Sequence, residues 1–396
     1  MNYSRNEHAS IGQSLVEIIG PRLNPNDSKL FKKIAQDIFG FKDDPMKINQ
    51  LNVSSQHVSS LEKLISEIAI NNYGLYPNKN WIEKCMQIHC VSSTFKAIIL
   101  CGPTSTGKTS TLNVLIDALT EFGKESMIPT QSGSMFQQGT SMSSSHKIKR
   151  INPSALDDES LLFGTLSKNG EFIDGLLTYS LRKTSRNQST TWLCLDGQIL
   201  AAWSDNFSSI FDSDLHLQLK NGDHLRNLCK LVFETSDISD ATPSLVAKSG
   251  IIFYDDELVG WRSIARSWLE IRTNKIEINC LQRCFSKTMD EISNLVLKEC
   301  RPIVGVREES LFKSCLNLLD SMLTENTNIA GEIHIERLFL FCLIWTFGGV
   351  LEQNDQRLFS DLLYRQVTAL PDDDLKSSVF EYYVDETGEW DLWTQR

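Results

Sequence analysis

Eight consecutive residues, Gly102-Pro103-Thr104-Ser105-Thr106-Gly107-Lys108-Thr109, form a complete GxxxxGK[ST] string. In such a loop the backbone N–H groups, together with the N-terminus of the following helix, surround phosphate oxygens. Gly107 permits close backbone approach, Lys108 reaches the β- and γ-phosphates, and the Thr109 hydroxyl ligates Mg²⁺. The chemistry predicted is binding of a nucleoside polyphosphate as its magnesium complex.

A phosphate loop needs a second acid for its metal, placed at the end of a neighbouring apolar strand. Asp196 closes the run Trp192-Leu193-Cys194-Leu195 and meets that requirement. In hydrolytic relatives of this arrangement a carboxylate beside the metal acid orients the attacking water. Here that neighbour is Gly197, so little hydrolysis is expected and no catalytic residue is assigned.

Other polar groups have plainer explanations. His216 and His224 flank Lys220-Asn221-Gly222-Asp223, where Asn-Gly marks a hairpin turn. Cys280 and Cys284 stand one helical turn apart, with no His or second Cys pair to complete a zinc site. Asp372-Asp373-Asp374 follows Pro371 as a solvated turn, the serines of 141–145 belong to a flexible loop, and Trp261, Trp268, Trp345 and Phe347 read as core.

The elements that must position the loop are legible around it. Phe95 to Cys101 is a continuous apolar run, as in a strand buried on both faces of a parallel sheet. Thr109 to Phe122 follows with Leu112, Leu115, Ile116 and Leu119 on one stripe, and Gly123 is placed to end the helix. Further strands are expected at 191–196, 230–234 and 250–254, which with intervening helices make a doubly wound α/β sheet. Upstream, Leu61, Leu64, Ile65, Ile68 and Ala69 share a helix face, and a shorter helix begins after Pro25-Asn26-Asp27-Ser28. Beyond residue 258 the strand signal stops and helical spacing takes over, which predicts a helical bundle.

Composition bounds the rest. Lys and Arg number 39 and Asp and Glu 50, a formal charge of −11 that argues against unaided nucleic-acid binding. The longest apolar run, Leu338 to Leu351, is shorter than the roughly 20 residues a spanning helix needs, so no membrane partner is expected. No signal segment is visible, and ten cysteines without a CxxC pair read as reduced, buried thiols in a cytoplasmic setting.

Several separated strings resemble the dynein heavy chains, specifically a second AAA+ module with the tail of the first before it. They include Leu23-Asn24-Pro25-Asn26-Asp27, Ile151-Asn152-Pro153, Phe163-Gly164-Thr165-Leu166, Asp174-Gly175-Leu176-Leu177, Trp192 to Gly197, Gly260-Trp261-Arg262 and Gly388-Glu389-Trp390. The resemblance implies a P-loop AAA+ fold, α/β with a doubly wound parallel sheet, followed by a helical small subdomain. It implies these segments: 1–45 the end of the preceding module, 46–60 a linker, 61–258 the large nucleotide-binding subdomain, 259–378 the small subdomain and 379–396 an exit. It further implies ATP and Mg²⁺ as ligands, and neighbouring AAA+ modules and dynein subunits as partners. Microtubules would be reached only through the full motor, in the cytoskeleton of the ciliary axoneme. Arg150-Ile151-Asn152-Pro153 is closer to axonemal than to cytoplasmic chains.

By the same resemblance, a polar sensor position after Phe233 falls on Asp237 or Glu234. Lys248 stands where the family carries an arginine that reaches the preceding module's nucleotide, keeping the charge without the planar fork. Two other readings stay open: a self-contained P-loop enzyme, whose Gly-Pro-Thr start resembles tRNA-modifying prenyltransferases, and a truncated non-motor nucleotide-binding scaffold.

Overall fold

Ala97–Cys101 (β1) is buried along its whole length, and this is what an uninterrupted Ala-Ile-Ile-Leu-Cys run requires. The computed structural model describes residues 2–41, 55–125, 145–156, 158–184, 189–211, 216–324, 329–371 and 378–395. They divide into two units, Met1–Tyr73 with Pro77–Leu258, and Gly74–Tyr76 with Val259–Arg396.

In the first unit, α1 (Asn2–Ile19) and α2 (Pro25–Phe39) precede α3 (Ser55–Tyr73) and α4 (Lys79–Thr94). Asn24 caps α2 by accepting from the Asp27 N–H at 2.8 Å, and Gly40 ends it at φ 65°. The polar stretch read as linker is helical from Ser55, since Ser, Gln and His are weak formers but not breakers; the rest of that stretch, 46–54, lies outside the described residues. Leu61, Ile65, Ile68 and Ala69 of α3 are buried as one stripe.

The α5 helix (Lys108–Glu125) passes through Gly123 instead of stopping there, because one glycine costs only about 1 kcal/mol in a helix. Then come β2 (His146–Ile151), α6 (Glu159–Phe163), β3 (Thr165–Leu166), β4 (Phe172–Ile173), α7 (Leu176–Thr184) and β5 (Thr190–Asp196). They are followed by α8 (Ala201–Ser204), β6 (His216–Gln218), β7 (His224–Arg226), β8 (Lys230–Thr235), α9 (Pro243–Lys248) and β9 (Gly250–Phe253). The main sheet has the order β2-β5-β8-β1-β9, and its pairs are parallel. The loop therefore leaves a strand flanked on both sides. The expected strands are present, and β2 adds one the periodicity did not suggest.

Phe163, Trp203, Phe207 and Phe233 pack edge-on and stacked at 5.4–6.3 Å beside β8. The Asn221-Gly222 turn joins β6 to β7 with Gly222 at φ 85°, and the His216 and His224 rings lie 6.2 Å apart across that hairpin.

The second unit holds α10 (Trp261–Glu270), α11 (Lys275–Asn294), α12 (Glu308–Met322), α13 (Glu332–Leu343) and α14 (Gln353–Gln366). Phe285 is its hub, with Phe312 at 5.3 Å and Phe339 at 5.2 Å. A hairpin of β10 (Tyr382–Val384) and β11 (Trp390–Leu392) packs on this core through Tyr383, Val384 and Trp390, so strand structure does recur near the C-terminus. Trp261 and Phe347 are core as expected, but Trp345 is 41% exposed. The serines of 141–144 and the acidic run 372–374 lie outside the described residues. Among the described residues, no helix is long and apolar enough to cross a membrane. The ten cysteines are free thiols, buried except for the half-buried Cys90.

Candidate functional site

The loop from Gly102 to Thr109 is shaped by residues that accept unusual backbone angles. Gly102 has φ 153°, and a Cβ there would lie 2.3 Å from the Tyr254 carbonyl oxygen, so only glycine fits between β1 and the chain leaving β9. Ser105 has φ 65°, the one described non-glycine residue with positive φ, and Gly107 has φ 87°. The turn is closed by Thr106, whose hydroxyl donates to Pro103 O at 2.8 Å. Thr111 N–H donates to Gly107 O at 2.9 Å and starts α5. Thr104, Ser105 and Thr109 are exposed, whereas Lys108 is only 8% exposed.

Lys108 Nζ donates to Gly102 O and Pro103 O, each at 2.6 Å. The ammonium is thus held beneath the loop by two carbonyls that a phosphate oxygen can replace. Thr111 and Tyr254 share a hydroxyl hydrogen bond of 2.6 Å behind it, and complete burial pushes the Tyr254 phenol up.

Asp196 ends β5 beside Glu234 of β8 as its register partner. The Asp196 side chain is half exposed, while Glu234 is 4% exposed. One Glu234 oxygen accepts the Thr109 hydroxyl and the other accepts Arg150 Nη1 at 2.7 Å. Arg150 comes from β2, crosses β5, and lies 3.6 Å from Asp196 Oδ2, while its Nη2 donates to Asn113 at 2.9 Å. Burial, then the Glu234 charge, raises the Asp196 pKa, with Arg150 and Lys108 opposing. Burial alone would lower the Arg150 pKa, but Cys194, Glu234 and Asp196 carry it above its ordinary value.

A hard divalent cation fits the donors present. Mg²⁺ is commonly held through one or two carboxylates plus substrate phosphates, and Thr109 and Asp196 supply a hydroxyl and a half-exposed carboxylate. Thr109 gives its proton to Glu234 and so keeps its oxygen lone pairs for a metal. Among the described residues, no three His, Cys, Asp or Glu side chains are grouped to hold a metal by themselves, so substrate oxygens would have to complete the shell.

The residue after Asp196 cannot readily carry a carboxylate. Gly197 has φ 151°, and a Cβ would meet Asn152 Oδ1 and Ser154 Oγ at 3.0 Å each. Its N–H donates to Glu234 O at 3.0 Å, which fixes the strand end.

Of the expected site residues, the loop, Asp196 and Glu234 converge, whereas Asp237 stands apart. Asp237 is exposed and caps its own turn, accepting from Ile238 N at 2.7 Å and Ser239 N at 3.3 Å. Those bonds, the Ser239 hydroxyl first, hold its pKa below the usual carboxylate range. Two residues of sequence separate it from the β8 end, and an Asx turn consumes its acceptors. Of the two, Glu234 is the carboxylate that contacts Thr109 and Arg150. Lys248 is exposed at the C-terminal end of α9. In the sequence Arg150 stands within Arg150-Ile151-Asn152-Pro153 with nothing in that string to mark its place beside the two acids. The signal available was period two: His146, Ile148 and Arg150 share one face of a strand paired to β5, which ends in Asp196.

Residues 1–109 match the family described as the hydrolytic ATP binding site of the dynein motor region, and residues 281–395 match the dynein heavy chain AAA lid domain. The dynein gamma chain of the flagellar outer arm of Chlamydomonas reinhardtii is 28% identical over 93% of this chain and 8% of its own length. Mouse dynein axonemal heavy chain 8 is 24% identical over 98% of this chain and 8% of its own. The Chlamydomonas dynein-1-alpha heavy chain of the inner arm I1 complex is 26% identical over 85% and 7%. The chain thus spans less than a tenth of the length of these curated relatives.

Proposed function

Since this chain belongs to the dynein heavy chain family, we propose that it is the second AAA+ module of such a chain, preceded by the tail of the first. The region carries the ATP-binding segment and the lid of that family. In our reading its phosphate loop, Gly102 to Thr109, holds ATP, with Lys108 on the β- and γ-phosphates. Thr109 and Asp196 would hold Mg²⁺, which neutralises phosphate charge when bound.

Our reading of little or no hydrolysis is supported by the pairing of Glu234 with both Thr109 and Arg150 beside a Gly197 that has no side chain. No carboxylate next to Asp196 is left to orient a water. The matched family description speaks of a hydrolytic site, but the match ends at Thr109, before Asp196-Gly197, so it does not reach the residues that would act on water.

The wider role is proposed from the relatives, whose names place them in flagellar and axonemal dyneins. The module would work in a microtubule-based motor of the ciliary axoneme, with neighbouring AAA+ modules and dynein subunits as direct partners. Lys248 is the candidate to reach a preceding module's nucleotide. Phosphate release at saturating Mg-ATP tests the hydrolysis claim: release no faster than from the Lys108→Ala variant is expected, and steady turnover abolished by Lys108→Ala would overturn it.

A further inference from the structure

We propose that Arg150 is a built-in counter-charge to the Asp196–Glu234 acid pair, so that this site holds a nucleoside polyphosphate with only weak dependence on a divalent cation. The inference rests on the reading of the loop as a nucleotide site and deepens it.

Two carboxylates sit side by side at the ends of adjacent strands, next to a loop built for a polyanion. Without compensation they would carry two formal negative charges there, and bound metal would be the means of offsetting them. Arg150 already supplies one positive charge, reaching Glu234 Oε2 at 2.7 Å and Asp196 Oδ2 at 3.6 Å. Its second nitrogen is fixed on Asn113 Oδ1 at 2.9 Å, in the first turns of the helix that follows the loop. The planar fork allows this bridging from β2 across β5; a lysine point charge could not hold these partners at once. The trio therefore has a formal charge of −1 before any metal arrives.

Arg150 acts through the acids and is a positioning residue, so the test reads metal coupling and not affinity alone. ATP and ADP affinities of the full chain are measured by calorimetry with excess Mg²⁺ and with EDTA, and the ratio of the two dissociation constants is the coupling. The wild type should show a ratio below about 10, a weak coupling on the usual scale. Arg150→Met, with a trio charge of −2, should raise the ratio about tenfold or more. The double variant Arg150→Met with Glu234→Gln returns the charge to −1, leaves no lone buried charge, and should restore the wild-type ratio. Glu234→Gln alone, at zero, should lower it further, which keeps the test available if Arg150→Met does not fold.

An unchanged ratio in folded Arg150→Met, or a double variant that stays strongly metal-dependent, overturns the inference while leaving the nucleotide site intact. Should the wild type bind neither nucleotide in either condition, the site reading itself fails and this inference falls with it.

Discussion

Thr109 and Glu234, separated by 125 positions in sequence, are joined by a hydroxyl-to-carboxylate hydrogen bond that ties the first turn of α5 to the end of β8. The bond fixes where the Thr109 proton points and therefore which lone pairs remain for a metal. Removing the hydroxyl takes a donor from a buried carboxylate, at about 1–2 kcal/mol of stability. Thr109→Ala should lower the urea midpoint accordingly and weaken Mg-nucleotide binding about threefold, a loss of about 0.65 kcal/mol. Thr109→Ser should retain both. Equal behaviour of the two variants would show that the hydroxyl is idle.

The backbone at Gly197 explains in physical terms why the position after Asp196 lacks a side chain. Its φ of 151° and the 3.0 Å approach of Asn152 Oδ1 and Ser154 Oγ leave a Cβ strained. Gly197→Ala should cost about 1–3 kcal/mol in urea unfolding. Gly197→Glu should cost at least as much and confer no phosphate release. Turnover gained by Gly197→Glu would mean the strand end can relax enough to present a water-orienting acid.

His146 predicts an acid-sensitive fold. Its Nδ1 accepts the Trp192 indole N–H at 3.1 Å. Burial first, then the Lys230 and His89 charges, push its pKa down to about 4. The unfolded chain, with histidine near 6.5, takes up a proton that the folded chain refuses. This contribution is complete above about pH 6.5 and is lost as pH falls toward 4. The melting temperature should drop across that window, and His146→Asn, which keeps an acceptor without the titration, should drop less steeply. An identical slope in the variant would remove His146 from the account.

Arg22 pins the N-terminal helices to the sheet edge. Its Nη2 donates to Ser249 O at 2.9 Å, just before β9, and its guanidinium lies 5.6 Å from the Phe95 ring centroid. Arg22→Ala should cost about 1–2 kcal/mol and speed hydrogen exchange in α1 and α2 more than in β1. Uniform acceleration throughout the first unit would instead indicate one cooperative block.

The part of the fold that reads directly from sequence is the part buried on both faces. Ala97–Cys101, Trp192–Leu195 and Leu231–Phe233 are apolar without interruption, and their burial is nearly complete. By contrast β2, His-Lys-Ile-Lys-Arg-Ile, is an edge strand with polar residues on both faces, so no apolar run announces it. Because Arg150 sits on that strand, the counter-charge of the site was hidden along with it. The loop itself was legible because its chemistry lies in a contiguous string, whereas the Glu234, Arg150 and Asp196 cluster depends on strand order that only tertiary pairing reveals. Position alone does not separate Asp237 from Glu234; the turn that follows Thr235 engages the Asp237 carboxylate with its own backbone and leaves Glu234 beside Thr109.

The central claim is that Gly102 to Thr109 is a working nucleotide site. Calorimetric titration of the full chain with Mg-ATP and Mg-ADP, alongside Lys108→Ala, tests it most directly. The account predicts saturable one-to-one binding that Lys108→Ala weakens at least about 100-fold, a loss near 2.7 kcal/mol. Binding that is absent in the wild type, or that survives Lys108→Ala unchanged, would contradict it.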